Sequence, residues 1–318
     1  IVDKNGNRHF REVVIVVGRK NGKAVSIETE IPTPNGFVKM RDVHEGDYVF
    51  GSDGKPTKVL YESPIFHKPM YMVEFEDGSK IKASEDHLWS VQTKNTRRLK
   101  TYEPKTARTR FAFNKIEGDY IVLSTKDMAN DFARVRKDGK GIEYKYRVPM
   151  AEPVEYEVKD LPIEPYLLGV WLGDGESNGQ SITTDGKDKE ELVRHLSAST
   201  RYSLITKQKS SDIKRGSNVH TVIVDWHEKG YNQSSKCNDS FRTHLKELDL
   251  LNNKHIPDMY MLGSIEQRYE LLQGLMDTDG FCSKAGECEF IQKNYRLAEQ
   301  VKELCESLGI KASIKVKE

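Results

Sequence analysis

Residues 167–175 read LLGVWLGDG and residues 272–280 read LQGLMDTDG, and the organisation of the second half of the chain can be predicted from these two stretches. Each is an apolar segment that predicts a helix, and each ends in Asp-Gly. Strand-like residues, a helix near 188–199, further strands and a helix near 238–250 follow the first stretch. A strand-like segment, a helix near 295–308 and a last strand follow the second. This recurrence indicates an internal repeat of a helix-strand-strand-helix unit.

The spacing of small residues in both stretches predicts a close helix pair. Gly169 and Gly173 are four residues apart and share one helical face, and so do Gly274 and Thr278. Small side chains on facing surfaces let two helix backbones approach closely. The alternative is an ordinary helix–helix core whose Asp-Gly ends are simple caps.

A close helix pair would deliver Asp174 and Asp279 side by side at the two helix ends. Adjacent carboxylates repel each other unless a divalent cation lies between them, and Mg²⁺ suits a site built of oxygen atoms. Such a cation can activate water and stabilise the leaving oxygen of a phosphodiester. We therefore expect a Mg²⁺ site formed by Asp174 and Asp279 with Gly173 and Thr278.

The paired stretches resemble the two LAGLIDADG motifs of homing endonucleases. The resemblance implies an α/β domain of two αββαββα repeats, the second of them incomplete, which cuts a double-stranded DNA homing site. Each of Asp174 and Asp279 would direct cleavage of one strand. The strands after each helix would cover the major groove, with strand candidates at 181–185, 202–209, 219–224, 282–293 and 311–317. The candidate phosphate contacts, each also explicable as a solvated surface residue, are Lys207, Lys209, Lys214, Arg215, Lys293, Lys315 and Lys317.

Residues 24–125 carry a different pattern, which predicts an all-β domain. Short strand-like runs alternate with Pro-Asn-Gly, Glu-Gly-Asp, Ser-Asp-Gly-Lys-Pro and Glu-Asp-Gly-Ser turns. The predicted strands include segments at 58–64 and 111–116. Residues 72–84 read as an Asp-Gly hairpin with alternating faces.

Residues 24–49 resemble the N-terminal block of an intein, and residues 78–90 resemble its second block. The resemblance implies a Hint-type splicing domain in which Ala24 is the first intein residue. The matching first-block positions are Thr29, Thr33, Pro34, Gly36, Gly46, Asp47 and Val49. In the second block, the Thr-x-x-His of the family becomes Ser84-Glu85-Asp86-His87.

Splicing chemistry explains why such residues are needed. The acyl group of Lys23 must move onto a nucleophilic side chain while an acid protonates the departing nitrogen. His87 can supply that proton and Ser84 can hold the carbonyl oxygen. A lone histidine on a strand is otherwise a half-buried structural residue, and the matched block favours the functional role.

Ala24 cannot act as a nucleophile, and two explanations remain open. Either a Cys→Ala change stands at this position, or the chain resembles class 3 inteins. Those begin without a nucleophile, use an internal Cys in a later block, and carry a Trp two residues after the block histidine, where Trp89 stands. Trp89 is equally consistent with core packing.

Residues 1–23 end in a β-branched run followed by GRKNGK, which resembles the P-loop of phage terminase large subunits. The lysine of such a loop reaches nucleotide phosphates, and a Ser or Thr that binds Mg²⁺ normally follows it. Here Ala24 follows, which suggests a host ATPase interrupted at this point. The alternative is a strand with a basic turn.

These observations predict four segments. They are an N-extein fragment at 1–23, the N-terminal part of a Hint domain at 24–125, a linker with one or two strands at 126–163, and an endonuclease domain with a truncated second repeat at 164–318. No terminal His-Asn pair is seen, so three explanations remain open: a fragment, one half of a split intein, or a truncated chain. We expect that the chain cannot splice alone. Its splicing partners would be host terminase exteins and, for a split intein, a C-terminal intein fragment.

Composition sets the outer limits. The net charge of +1 neither favours nor excludes nucleic acid, and the 28 aromatic residues predict packed cores. No apolar run is long enough to span a membrane. The four cysteines are too sparse for a disulfide framework, which favours the reducing cytoplasm of a bacterial host, with a phage or prophage as the source. The rival functions are a free-standing LAGLIDADG endonuclease or maturase, a terminase ATPase, and a catalytically dead DNA-binding relic.

Overall fold

The computed structural model describes residues 25–93, 120–208, 218–228, 240–284 and 286–316. The chain divides into two compact units, one of residues 1–155 with 309–313 and one of residues 156–308 with 314–318. The described part of the predicted linker up to Glu155 therefore belongs to the first unit. The predicted segment 1–23, the junction residue Ala24 and the predicted strand at 111–116 lie outside the described residues.

The first unit is a set of antiparallel hairpins formed by consecutive strands. The strands are β1 (Glu30–Thr33), β2 (Gly36–Lys39), β3 (Tyr48–Phe50), β4 (Pro56–Lys58), β5 (Met70–Glu74), β6 (Lys80–Ser84), β7 (Leu88–Val91), β8 (Ile121–Ser124), β9 (Ala133–Val135) and β10 (Ile142–Tyr144). A 3-10 turn occupies Met40–Asp42, and helix α1 occupies Thr125–Ala129. Gly36 and Gly78 have φ of 107° and 86°, so glycine suits the turns between β1 and β2 and between β5 and β6.

A small core holds the β5–β8 hairpins together. Ala83, Trp89, Val91 and Met128 are buried in it. Helix α1 starts at a capping box, in which the Ser124 side chain accepts from the Asp127 amide and the Asp127 carboxylate accepts from the Ser124 amide. The apolar alternation predicted for residues 72–84 is present in the burial of β5 and β6.

Two predicted strands are absent. Within residues 58–64 only Lys58 is in a strand, and the exposed Leu60 and Tyr61 follow it. Prolines at 64 and 69 cannot donate to a ladder, so this apolar run has little means of pairing. Residues 311–316 form no strand either, although their residues alternate in polarity. A strand requires a hydrogen-bonded neighbour, which an alternating sequence alone does not supply.

The second unit is an α/β arrangement around a larger core. Its helices are α2 (Pro165–Asp174), α3 (Lys189–Ser199), α4 (Phe241–Glu247), α5 (Asp258–Met261), α6 (Ile265–Asp279) and α7 (Tyr295–Ser307). Its strands are β11 (Ser181–Asp185), β12 (Tyr202–Lys207), β13 (Val219–Glu228), β14 (Gly280–Cys282) and β15 (Cys288–Phe290). The first three strands form an antiparallel sheet of order β11-β13-β12, and β14 pairs with β15 as a hairpin.

The two copies of the predicted repeat therefore differ. The first runs α2-β11-α3-β12-β13-α4, and the second runs α6-β14-β15-α7. Helix α2 is buried along almost its whole length, from Pro165 to Leu172, and α6, β11 and α3 pack against it. A helix that is apolar on every side is suited to such a central position.

Two further features bear on the sequence expectations. Every helix of the described residues is too short or too polar to cross a bilayer. Cys282 and Cys288 are joined by a disulfide across β14 and β15, a pairing that the sparse cysteines did not predict.

Candidate active sites

Helices α2 and α6 pack with their backbones in contact. A Cβ added to Gly169 would lie 2.3 Å from the carbonyl oxygen of Leu271 and 3.0 Å from the Cα of Gly274. A Cβ added to Gly274 would lie 2.3 Å from the carbonyl oxygen of Tyr166. Glycine is therefore needed on both helices at this crossing, which is the close approach that the spacing of small residues predicts.

Asp174 and Asp279 meet at the ends of these two helices. The carboxyl carbon of Asp279 lies 3.6 Å from the position that a Cβ on Gly173 would occupy. Partial loss of hydration raises the pKa of both carboxyls, even though Asp174 keeps one side open to solvent. The charge of Asp279 raises the pKa of Asp174 further, as expected for two carboxylates sharing one site.

Lys254 joins the acidic pair, although it is not among the site residues predicted from the sequence. Its ammonium donates to the carbonyl oxygens of Gly173 at 3.0 Å and Gly175 at 2.7 Å, and it lies 5.1 Å from the ring centre of Trp171. Burial lowers the pKa of Lys254 to about 8, against the opposing effect of the Asp279 and Asp174 charges. The sequence signal is the stretch at 253–257, which resembles the segment before the second motif in related enzymes but indicates no chemistry by itself.

Gln292 is a second residue that sequence reasoning missed. Its side-chain amide donates to Oδ2 of Asp279 at 2.9 Å, and the amide of Ile291 donates to the Asp279 carbonyl at 3.0 Å. The hairpin β14–β15 begins directly after Asp279 and brings these residues back to it. Only this hairpin makes Gln292 a neighbour of the site.

The four predicted metal ligands differ in what they offer. The Gly173 carbonyl accepts from Lys254, and the Thr278 hydroxyl donates within its own helix to the carbonyls of Gly274 at 3.1 Å and Leu275 at 2.9 Å. Thr278 also contacts Gly173, since a Cβ there would lie 2.0 Å from its hydroxyl oxygen. Thr278 thus serves the helix contact, and the two carboxylates are the main candidate ligands.

The charge balance of the carboxylate pair fits a divalent cation. Their like charges raise one of the two pKa values, and an ion bound by both would remove that repulsion. Among the described residues, no group of three or more His, Cys, Asp or Glu side chains is arranged around one point. A cation here would complete its oxygen shell with water or phosphate oxygens, as Mg²⁺ commonly does.

The sheet β11-β13-β12 has one face on the core and one open face. Ile182, Thr184, Val222 and Val224 are buried, so the alternate residues of each strand, such as Thr183, point away from the core. Lys207 lies exposed at the end of β12. Lys293 and Lys315 are also exposed, whereas Lys209, Lys214, Arg215 and Lys317 lie outside the described residues.

In the first unit, the chain just after the predicted splice junction runs beside β6. Val25 forms an antiparallel bridge with Ala83, and the Ser26 amide donates to the Lys82 carbonyl at 2.9 Å. Ser84 follows Ala83 directly and is fully buried at the end of β6. Residue 25 is thereby held next to Ser84, the first residue of the Ser84–His87 motif within the second predicted splicing block.

His87 lies in the turn between β6 and β7, packed against Trp89. Their ring centres are 4.7 Å apart in an edge-to-face arrangement. Thr125 supports both residues, because its amide donates to the His87 carbonyl at 2.9 Å and its hydroxyl accepts from Trp89 Nε1 at 2.9 Å. His87 is half-buried and Trp89 is a core residue.

The residues of the first predicted splicing block shape turns and strands. The Thr33 hydroxyl donates to the Gly36 carbonyl at 2.7 Å and closes the turn between β1 and β2. The Asp47 carboxylate accepts from the His44 amide at 2.8 Å, and the carbonyl of Asp47 accepts from Val59. Val49 is buried in β3. Thr33, Asp47 and Val49 of the first predicted splicing block therefore each have a structural role.

Comparison with known proteins finds one matching family and two similar relatives by sequence. Residues 266–318 match the LAGLIDADG-like domain family. Over 307 residues the chain is 31% identical to a replicative DNA helicase DnaB of Mycobacterium intracellulare, an alignment that covers 96% of this chain and 46% of the relative. It is also 37% identical over 83 residues to a replicative DNA helicase DnaB of Mycobacterium leprae (strain TN), covering 26% of this chain and 14% of that relative. The chain spans less than half the length of these curated relatives.

Similar solved structures include the Msm DnaB1 intein splicing domain bound with zinc and the MchDnaB-1 intein (N145AA). They are 40% and 41% identical where matched, and each match covers 22% of this chain and 56% or 54% of the other. Both superpose with a TM-score of 0.21, which is too low to bear on the fold. The chain thus contains a LAGLIDADG-like domain and is homologous over nearly its whole length to part of a mycobacterial DnaB.

Proposed function

We propose that the chain is an intein whose first unit carries out protein splicing and whose second unit is a Mg²⁺-dependent, site-specific DNA endonuclease. The observation that carries the endonuclease assignment is the meeting of Asp174, Asp279 and Lys254 at the ends of two helices in backbone contact. The LAGLIDADG-like match over residues 266–318, which includes most of α6, supports the same assignment.

The residues of this site divide the chemistry among them. The carboxylates of Asp174 and Asp279 would hold Mg²⁺, which when bound supplies Lewis-acid stabilisation of phosphate charge. Lys254 adds a positive charge beside both carboxylates and can pair with a phosphate oxygen. Gln292 fixes one oxygen of Asp279 through its amide, so that the other oxygen keeps a defined direction.

The test is cleavage of a plasmid that carries the host gene without the insertion, assayed with Mg²⁺ and with EDTA. We expect double-strand cleavage at one position with Mg²⁺, and none with EDTA. Asp174→Asn and Asp279→Asn should each nick one strand or fail to cut. Asp188→Asn, an equal change at an exposed position before α3, should cut like the unchanged protein.

The same assay separates this proposal from a DNA-binding relic. Tight, site-specific binding without nicking would identify a relic, because the acidic pair would then have no catalytic role. A free-standing endonuclease or maturase is separated by the splicing test. If the double variant Asp174→Asn, Asp279→Asn still cut DNA, the assignment of the catalytic site would be overturned.

Splicing by the first unit is supported by the position of Val25 beside Ala83, next to Ser84, and by His87 in the following turn. In the first step, the Lys23 carbonyl carbon would bond to a nucleophile, its bond to the residue-24 nitrogen would break, and that nitrogen would gain a proton. His87 would donate the proton and Ser84 would stabilise the oxyanion. Trp89 would keep the His87 ring in place.

Ala24→Cys tests this step in the chain itself. The introduced thiol should form a thioester with Lys23, and added dithiothreitol should then release residues 1–23. A second change of His87→Ala should slow that release, whereas His67→Ala, at an exposed residue, should not. If Ala24→Cys released no peptide while the protein remained folded, attack on the Lys23 carbonyl by a side chain at residue 24 would be excluded. A class 3-like route would then be the remaining form of the proposal.

The interrupted host is proposed to be a P-loop ATPase. GRKNGK resembles a terminase P-loop, whereas the curated relatives are named as DnaB helicases. The two alternative hosts are therefore a phage terminase and a replicative helicase. Both supply exteins that are joined when the intein leaves. The genomic sequence that follows the intein decides between them.

A further inference from the structure

The hairpin β14–β15 carries a pair of cysteines that neither proposed activity uses. Cys282 and Cys288 are register partners at its loop end, with Cα atoms 4.2 Å apart, and the structure joins them by a disulfide. Both side chains are exposed. Exposure gives small reagents access to the sulfur atoms, which is the first requirement of a reactive pair.

The same hairpin holds the end of α6. Gly280 follows Asp279 directly, and on the return strand Ile291 and Gln292 bond to the backbone and side chain of Asp279. Each strand has only three residues, and a two-stranded hairpin of that size is only marginally stable by itself. A covalent bond between its strands would limit the separation of the strand that leads to Gln292 from the strand that follows Asp279.

The disulfide leaves the outer face of the hairpin free. Phe290 packs against the core of the second unit, while Phe281 on the opposite face is 62% exposed. Cys282 and Cys288 stand two residues from Gly280 and Phe290, so they share the face of Phe290. The disulfide therefore joins the two strands on the face of Phe290. The opposite face, which carries Phe281, remains exposed.

We infer that Cys282 and Cys288 form a thiol–disulfide exchange site, whose oxidation by a low-molecular-weight disulfide locks the hairpin that holds Asp279. One cysteine thiolate attacks the reagent and releases one thiolate, and the second cysteine then attacks the mixed disulfide and releases the other. The two cysteines lose two protons and two electrons, and the reagent is reduced to two thiols. The effect on DNA cleavage rests on the proposed endonuclease function, whereas the exchange itself does not.

The first measurement needs no DNA. The protein is equilibrated with buffers of reduced and oxidised glutathione, and its free thiols are counted by mass spectrometry after alkylation. We expect the loss of two thiols, at Cys282 and Cys288, with amide exchange over residues 280–292 slower in the oxidised form. Cys305 is the matched control, because burial raises the pKa of its thiol to about 11 and should keep it reduced.

Cys282→Ser and Cys288→Ser provide the permanently open hairpin, and Cys305→Ser provides a variant that keeps the pair. Four thiols in oxidised buffer, or equal amide exchange in both states, would overturn the inference. The reduced wild-type protein serves the same comparison if a serine variant fails to fold.

The second measurement is cleavage of each DNA strand in the two redox states. Loosening the contact between Gln292 and Asp279 should slow one strand about tenfold, so that nicked DNA accumulates in the reduced form. Equal rates of both strands in the two states would overturn the link to the site. If neither state cut DNA, the endonuclease proposal would fail, and thiol counting and amide exchange would still decide the exchange site.

Discussion

Gly169 and Gly274 lie against each other where α2 crosses α6, so close that a Cβ on Gly169 would come 3.0 Å from the Cα of Gly274. The neighbouring atoms are backbone, and backbone cannot turn aside as a side chain can. This contact decides how near the two helix ends come. It therefore controls the position of Asp174 relative to Asp279.

Gly169→Ala tests the contact. The added methyl would meet the Leu271 carbonyl, so the helices must separate, and we expect the free energy of unfolding to fall by about 1–3 kcal/mol. Denaturant unfolding measures it. Gly179→Ala is the control, because the added methyl there meets only the flexible side chain of Glu176. Equal stability of both variants would show that the helices do not need this contact.

Asp174→Asn and Asp279→Asn should each raise stability in EDTA while removing double-strand cleavage. The folded protein brings the two carboxyls together and raises the pKa of both, so removal of one charge relieves repulsion. Mg²⁺ should raise both the melting temperature and the free energy of unfolding of the unchanged protein. The gain in free energy should be about 2.7 kcal/mol when the Mg²⁺ concentration is a hundred times its dissociation constant. An equal Mg²⁺ effect in the double variant would place the ion elsewhere.

Lys254 should make the stability of the metal-free protein depend on alkaline pH. Its pKa is about 8 when folded, against an ordinary value of 10.5. Between these values the unfolded chain binds the proton that the folded chain has lost, so stability should rise with pH, on the order of 1–3 kcal/mol. Unfolding in EDTA at several pH values measures this. In Lys254→Met the free energy of unfolding should increase less with pH. An equal increase in that variant would show that Lys254 is not its cause.

Gln292→Ala should slow cleavage about tenfold through a loss of order at Asp279, with little effect on DNA affinity. Gel assays that follow each strand separately would detect it as nicked DNA. Gln273→Ala, an exposed change on α6, is the matched control. Equal slowing of both strands would argue that Gln292 acts on the fold as a whole.

Thr125→Val should destabilise the first unit by about 1–3 kcal/mol, because the buried Trp89 nitrogen would lose its acceptor. Thr125→Ser keeps the hydroxyl and should retain most of the stability. Thermal unfolding of the two variants gives the comparison. If valine and serine behaved alike, the hydroxyl contact would contribute little to the position of Trp89.

The local elements of this protein follow from short stretches of its sequence. Apolar residues with small residues four apart specified α2 and α6, and an Asp at the end of each specified where the acids would stand. Turn residues specified the hairpins β1–β2 and β5–β6. These features follow from periodicity and turn chemistry, which act between residues close in the chain.

Tertiary structure alone decided which distant residues join each site. Lys254 and Gln292 reach the acidic pair from segments that carry no periodic signal, and Thr125 meets Trp89 only because β8 pairs with β7. Residues 311–316 show the converse, since their alternation formed no strand. Pairing and burial depend on what lies across the fold, and no stretch of sequence contains its own partner.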